Sequence, residues 1–270
     1  MSSPASAPTG RIAAAFARLR STIARSGRVT YVTAGDPDLA RTDGILRALD
    51  RGGADVLEIG VPFSDPLADG PVIQRATERA LAAGTTLAGV LDLLEGVRTD
   101  LRPPVVIFSY ANPILHMGAE RFADRARAAG IDGVLVLDLP IEEAGEFRAL
   151  LGSRGIDTIL LLSPTTTDER LRRAASLGSG FLYAISRLGV TGARDEMSDG
   201  AEPLVRRIRS VSPLPIALGF GISKPEHVRD ACRWADAAVV GSALVSVIAE
   251  AGATADLNTR VEEYVRWLKS

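Results

Sequence analysis

Short runs of Val, Ile and Leu alternate along the chain with longer stretches in which Ala, Leu, Arg and Glu recur at helical spacing. Continuous apolar runs of this kind are how strands buried on both faces read. Such runs occupy 29–35, 56–60, 104–110, 133–138, 158–163, 180–186, 215–221 and 237–241. Amphipathic patterns lie between them, as at 39–51, 121–129, 142–154, 168–177 and 225–233. Eight strand–helix units are the count of an α/β fold of one particular kind, a single (β/α)8 TIM barrel. A doubly wound open sheet is the alternative, but it has fewer strands and a glycine-rich first turn, which this sequence lacks. Two pieces stand outside the repeat. Segment 11–25 reads as an extra N-terminal helix whose Ile12, Phe16, Leu19 and Ile23 share a face suited to capping the barrel bottom, and 256–269 reads as a closing helix. No composition shift marks a second domain, so 11–270 reads as one catalytic barrel and the Ser/Pro/Ala-rich 1–10 as a flexible tail.

The length, 270 residues, is one that such barrels reach as a single unit. The 31 basic and 33 acidic residues give a net charge of −2, so no basic surplus advertises nucleic acid or an acidic membrane. Cys232 is the only cysteine, which excludes an intrachain disulfide. The first ten residues lack the apolar core of a signal peptide. The longest apolar run, 237–249, contains Gly241 and Ser242 and is too short to cross a bilayer. A cytoplasmic location is expected. Lysine occurs only at Lys224 and Lys269.

In a barrel of this class, chemistry sits where strands end and loops begin. Glu58 lies inside the second strand, on the face opposite Leu57 and Ile59. Those two should meet the helices, so Glu58 should point into the barrel. A buried carboxylate is costly unless paired, or else its pKa rises. It is therefore either an acid–base group or a structural Glu held by a buried Arg. The next segment, 61–71, carries three prolines with Asp65 and Asp69, and reads as an active-site loop or as a surface turn. Tyr183 on the sixth strand suits core packing or function. The segment 186–194, with two glycines, suits a mobile lid. Glycines after the seventh and eighth strands, at Gly219, Gly221 and Gly241, let backbone N–H groups approach an anion, and the helix after Ser242 points its positive end there.

The inventory narrows the reaction. A Schiff-base aldolase needs a lysine at a strand end, and neither Lys224 nor Lys269 is so placed. Metal aldolases need several His or carboxylate ligands; His116 and His227 are the only histidines and both read as surface residues, so no metal is expected. Cys232 reads as a small buried residue. General acid–base chemistry by carboxylates on a phosphorylated ligand remains, with the electron sink inside the substrate itself.

The run Leu57-Glu58-Ile59-Gly60-Val61-Pro62-Phe63-Ser64-Asp65-Pro66-Leu67-Ala68-Asp69-Gly70-Pro71 closely resembles the signature of the tryptophan synthase alpha chain family. The resemblance continues through Tyr31-Val32-Thr33-Ala34-Gly35-Asp36-Pro37, Tyr110-Ala111-Asn112-Pro113, Ser186-Arg187, Gly189-Val190-Thr191-Gly192, Gly219-Phe220-Gly221-Ile222-Ser223 and Gly241-Ser242-Ala243. It implies a (β/α)8 lyase that cleaves indole-3-glycerol phosphate to indole and glyceraldehyde 3-phosphate in tryptophan biosynthesis. It implies Glu58 as the acid–base group that protonates the indole C3 and handles the hydroxyl proton. Asp69 would bind the indole N–H and stabilise the positive charge developing there, and Tyr183 would help place Glu58. Phe108 and Leu135 match apolar positions that hold the indole; Gly192, Gly221, Gly241 and Ser242 match phosphate-binding positions; Thr191 matches a residue that bonds Asp69 on lid closure. The resemblance further implies a beta-chain partner in an α2β2 assembly. Pyridoxal phosphate belongs to that partner, with no cofactor in this chain. Asp65 and the Tyr110–Asn112 loop match the partner-facing surface. Leu137 stands where the family has a proline or small residue, and Leu188 sits inside the lid motif. The alternatives are a stand-alone lyase releasing free indole, a phosphosugar isomerase using Glu58 as base, and a non-catalytic barrel.

Overall fold

The computed structural model describes residues 10–21, 27–185, 200–219 and 221–270. The strands are β1 (Gly27–Thr33), β2 (Val56–Gly60), β3 (Val105–Ser109), β4 (Gly133–Val136), β5 (Asp157–Leu162), β6 (Leu182–Ile185), β7 (Ile216–Gly219) and β8 (Ala237–Val240). All pair in parallel in chain order, and β8 returns to β1, which closes the barrel. The fold is the (β/α)8 barrel expected from the pattern. Several strands stop one or two residues before the apolar run does, as β1 does before Ala34 and Gly35 and β4 before Leu137 and Asp138.

The helices among the described residues are α1 (Arg11–Arg20), α2 (Leu39–Gly52), α3 (Pro71–Ala82), α4 (Leu87–Val97), α5 (Ala111–Met117), α6 (Ala119–Ala128), α7 (Ala144–Ser153), α8 (Asp168–Leu177), α9 (Ala201–Arg209), α10 (Pro225–Ala231), α11 (Ser242–Ala251) and α12 (Leu257–Trp267). Side chains supply the start signals that the sequence carries: Asp38 accepts from Arg41 N–H at 2.9 Å, and Thr86 and Thr167 cap α4 and α8 in the same way. No single helix among the described residues is long and apolar enough to cross a membrane.

Period-two alternation divides the core in two. Leu57, Ile59, Val105, Ile107, Leu218 and Val240 join the cluster between sheet and helices. Val29, Tyr31, Val56, Val106, Phe108, Leu135, Ile159 and Val239 fill the barrel interior. The interior cluster also takes Ile12, Phe16 and Leu19 of α1, and Phe16 meets Phe181 at 5.5 Å between ring centroids. α1 therefore plugs the barrel bottom, as its apolar face suggests. Each such buried aromatic contributes about 1.5–3 kcal/mol. The helix ends at Arg20 rather than Arg25; Ile23 and the tail residues 1–9 lie outside the described residues.

Two expectations need correction. The Tyr110–Asn112 segment is not a loop throughout: α5 begins at Ala111, whose N–H is capped by Asp138 Oδ1 at 2.7 Å, and Pro113 sits in the first turn, where no N–H is needed. His227 is not a surface residue. It is buried on α10, and its Nδ1 accepts from the Ser223 N–H at 3.3 Å. The helical period alone did not reveal that its face turns inward.

Candidate active site

Glu58 stands in the middle of β2, opposite Tyr31 of β1 and Val106 of β3. Because Leu57 and Ile59 occupy the outer face, Glu58 is directed into the barrel, where it is fully buried and lines the cavity at the mouth. Neither carboxylate oxygen has a hydrogen-bond partner. Among the described residues, no buried arginine holds it in the way the structural alternative requires. Burial alone pushes its pKa from the ordinary 4.5 up to about 8, because the charged form has lost water and gained no partner.

Close approach around this group explains two glycines. A Cβ on Gly60 would lie 2.1 Å from the Tyr31 hydroxyl, and one on Gly219 would lie 2.7 Å from that of Tyr183. The two phenols thus lie flat against the neighbouring strands and wall the cavity beside Glu58. Both are pushed well above their usual pKa, first by burial and then by the charge of Asp69 on Tyr31 and of Glu58 on Tyr183. They remain neutral O–H groups. Tyr183 makes no hydrogen bond to Glu58; the two share the cavity wall.

Asp69 is half-buried on the segment between β2 and α3. Its Oδ2 accepts from the Tyr110 hydroxyl at 3.2 Å, and that hydroxyl accepts from Ala68 N–H at 3.0 Å. Burial pushes Asp69 up to about 6, while the Tyr110 hydrogen bond pulls the other way. The segment is built, not loose. Gln74 Nε2 donates to the Asp69 carbonyl at 2.9 Å, Pro71 starts α3, and Arg79 of the same helix grips Asp36 beyond β1 at 2.7 and 2.8 Å. Asp65 and Leu67 stay on the outside of the segment, Leu67 being 93% exposed.

The far side of the cavity is lined by Gly219, which ends β7, by Gly221 just beyond it, and by Gly241 and Ser242, where α11 begins. Gly221 takes a left-handed φ of 62°, which favours glycine. Ser242 and Ala243 place the first N–H groups of α11 at this rim, and the helix dipole favours an anion there. Phe108 lines the cavity between the two ends and meets Tyr31 edge-on at 5.2 Å.

The sequence profile of the tryptophan synthase alpha chain family matches residues 16–270. The alpha chain of Geobacter sulfurreducens is 48% identical over 96% of this chain and 97% of its own length. That of Solibacter usitatus is 47% identical over 91% of this chain and 92% of its own. The chain belongs to the tryptophan synthase alpha chain family. As a member it is an enzyme, a lyase of tryptophan biosynthesis. Solved structures agree: a Mycobacterium tuberculosis tryptophan synthase chain superposes with a TM-score of 0.89 at 34% identity, over 97% of both chains. A chain of the Pyrococcus furiosus tryptophan synthase complex superposes with a TM-score of 0.84 at 38% identity, over 92% of this chain and 99% of its own.

Within this alpha-chain barrel, the positions singled out from sequence meet unequally. Glu58, Tyr183, Phe108, Gly221, Gly241 and Ser242 border one cavity. Asp69 does not line it, but its charge is felt by Tyr31 and Tyr183, which do. Leu135 pairs with Phe108 in register but is wholly buried in the interior cluster and does not border the cavity. Thr191 and Gly192 lie outside the described residues, with the rest of the lid segment. Tyr31, Ile73, Ile222 and Ser223 border the cavity without having been singled out. Tyr31 carried a signal, being inward-facing and one strand over from Glu58; Ile73, on α3, carried none. Among the described residues no group of three His, Cys, Asp or Glu side chains is placed to hold a metal ion.

Proposed function

We propose that this chain cleaves indole-3-glycerol phosphate to indole and glyceraldehyde 3-phosphate, with Glu58 as acid–base group and Asp69 as its electrostatic partner. The observation that carries the reading is the buried, unpartnered Glu58 carboxyl on the wall of a cavity whose other end is a glycine-lined helix start. A carboxylic acid with a pKa near 8 holds its proton at neutral pH and can give it to C3 of the indole. The ring then carries positive charge toward its nitrogen. Asp69, largely ionised at neutral pH, faces that charge and accepts from the N–H. As the bond between C3 and the side chain breaks, the electrons return to the ring, and the side-chain hydroxyl loses its proton to Glu58, now the base. Atoms and protons balance, and no cofactor in this chain is needed because the protonated indole is the electron sink.

Phe108 and Tyr31 supply the apolar wall for the ring, and Gly221, Gly241 and Ser242 supply backbone N–H groups for the phosphate. Leu135, beside Phe108 on the next strand, supports that wall from the interior cluster. Tyr183 fixes the position of Glu58 by packing. Thr191 and Gly192 complete the site from the lid, on the family's pattern. The partner is a tryptophan synthase beta chain in an α2β2 assembly, which holds the pyridoxal phosphate. The Pyrococcus furiosus relative is an a2b2 complex, and it supports this reading at 40% identity. So do two exposed apolar tips: Leu67, two residues from Asp65, and Leu115, at 69% exposure, on α5 three residues beyond Asn112. A cytoplasmic location fits this role.

The test is incubation of the purified chain with indole-3-glycerol phosphate, with and without a beta chain, while following indole. Release that rises with the beta chain is expected. Strong release by the chain alone, unchanged by the partner, would favour the stand-alone lyase, and no release in either case would end the reading.

A further inference from the structure

Ser223 lies in the turn between β7 and α10 and lines the anion end of the cavity beside Gly221 and Ile222. Its backbone belongs to neither strand nor helix, yet both polar groups are taken, each by a side chain from a different helix. His227 of α10 accepts the Ser223 N–H on Nδ1 at 3.3 Å, and the same nitrogen is 3.5 Å from the Ser223 hydroxyl. Tyr264 of α12 donates its hydroxyl to the Ser223 carbonyl at 2.9 Å. His227 is only 7% exposed. Burial pushes the Tyr264 phenol up to about 12, so it stays a donor throughout the neutral range. Neither side chain borders the cavity itself.

A rim turn beside an anion site would ordinarily satisfy its N–H and C=O with water, which leaves its shape free to vary. Here two part-buried side chains replace that water and pull on opposite sides of one peptide pair. The His227 contact is local, four residues on, and on its own would be an ordinary turn bond. The Tyr264 contact spans 41 residues and brings in the closing helix, which no local turn requires. We infer that His227 and Tyr264 are positioning residues for phosphate binding: a two-sided clamp on Ser223 that holds the Gly221–Ser223 backbone in its anion-receiving shape. To accept from Ser223, the imidazole keeps its proton on Nε2. The clamp acts on the phosphate end, remote from Glu58 and Asp69, so its loss weakens binding of substrate and transition state alike.

The inference rests on the cavity rim being the phosphate site, and the experiment separates the two. Inorganic phosphate binding is titrated, and steady-state cleavage of indole-3-glycerol phosphate measured, for the full wild-type chain, H227L, H227N, Y264F and H227L/Y264F. A denaturation midpoint is taken for each. H227L and Y264F are expected to raise the phosphate Kd and KM about three- to tenfold, the worth of one neutral hydrogen bond. Their kcat should stay within about twofold of wild type, the pattern of lost uniform binding. H227N should restore binding, because its Oδ1 sits near where Nδ1 accepts. H227N as weak as H227L would reduce His227 to a space-filler and overturn its part in the clamp. Wild-type binding in both H227L and Y264F, or a fall in kcat at unchanged KM, would overturn the clamp altogether. If H227L does not fold, Y264F and H227N decide. A wild-type chain that binds no phosphate and shows no phosphate competition would fell the site reading itself, and the clamp with it.

Discussion

At the bottom of the barrel, Asp55, Asp132 and Asp236 each precede a strand, and each is met by arginine. Asp55 pairs with Arg28, Asp132 with Arg98 at 2.7 Å, and Asp236 with Arg20 and Arg209. Each also accepts from a strand N–H: Arg28 at 3.0 Å, Val105 at 2.8 Å and Ile216 at 2.8 Å. At the mouth, Glu58 and Asp69 meet no arginine among the described residues, and burial drives their pKa values up to about 8 and about 6. The residue chemistry is the same, and the treatment is opposite. Carboxylates paired with arginine hold strands together; those buried at the mouth without an arginine among the described residues hold protons within reach of neutral pH. On the roles proposed above, the two ends of one barrel divide stability from chemistry.

That division can be broken in several ways. The largest effect is expected from Glu58→Gln, which removes the mobile proton and should lower kcat by about 10²–10⁴-fold. Near-normal turnover would place the proton donor elsewhere. Asp69→Asn should cost about 10²–10³-fold in kcat, the usual worth of one preorganised charge-stabilising group. If only KM moves, Asp69 binds without stabilising charge.

At the bottom, Asp132→Ala strands the buried Arg98 and should lower unfolding free energy by on the order of 3 kcal/mol, read from urea midpoints. Turnover in the folded fraction should be unchanged. A large kcat defect there would dissolve the contrast between the two ends.

The pH dependence follows from the two mouth groups. Glu58 must be protonated and Asp69 ionised, so kcat/KM should be bell-shaped, falling below about 6 and above about 8. Glu58 also leaves a mark on stability. Its folded pKa is raised, so between 4.5 and about 8 the native state holds a proton that the unfolded state has lost. Stability therefore falls as pH rises through that window and levels off above it. Glu58→Gln should flatten this slope in denaturant titrations, and an identical slope in both proteins would contradict the burial of an unpartnered acid. The smallest effect is expected from Tyr110→Phe. It deletes a hydrogen bond that lowers the Asp69 pKa, so the acid limb should move up from about 6, with kcat at its plateau falling only a few-fold. A downward move would mean that the phenol does not stabilise the ionised form.

Much of the site was legible from particular residues. Two-fold alternation around Leu57 and Ile59 was enough to aim Glu58 inward, and the glycines at the ends of β7 and β8 were enough to mark the far rim of the cavity. Legibility failed where the decisive contact is long-range. His227 reads as one more polar helical residue, since nothing near it in sequence announces that its face turns to Ser223 and that Tyr264 approaches from the other side. Phe108 and Leu135 both match indole-holding positions by resemblance and pair in register, yet only Phe108 borders the cavity, while Leu135 is wholly buried in the interior cluster.

The sequence by itself determined the eight strand–helix units, the plugging face of α1 and the inward direction of Glu58, because all of these follow from local periodicity and residue type. Only the tertiary structure decided that Glu58 has no arginine beside it, that Asp69 leans on Tyr110, and that two helices meet at Ser223. A side chain's pKa and partners depend on neighbours brought together by barrel closure, and those neighbours are set by packing across the whole fold rather than by the residues next in line.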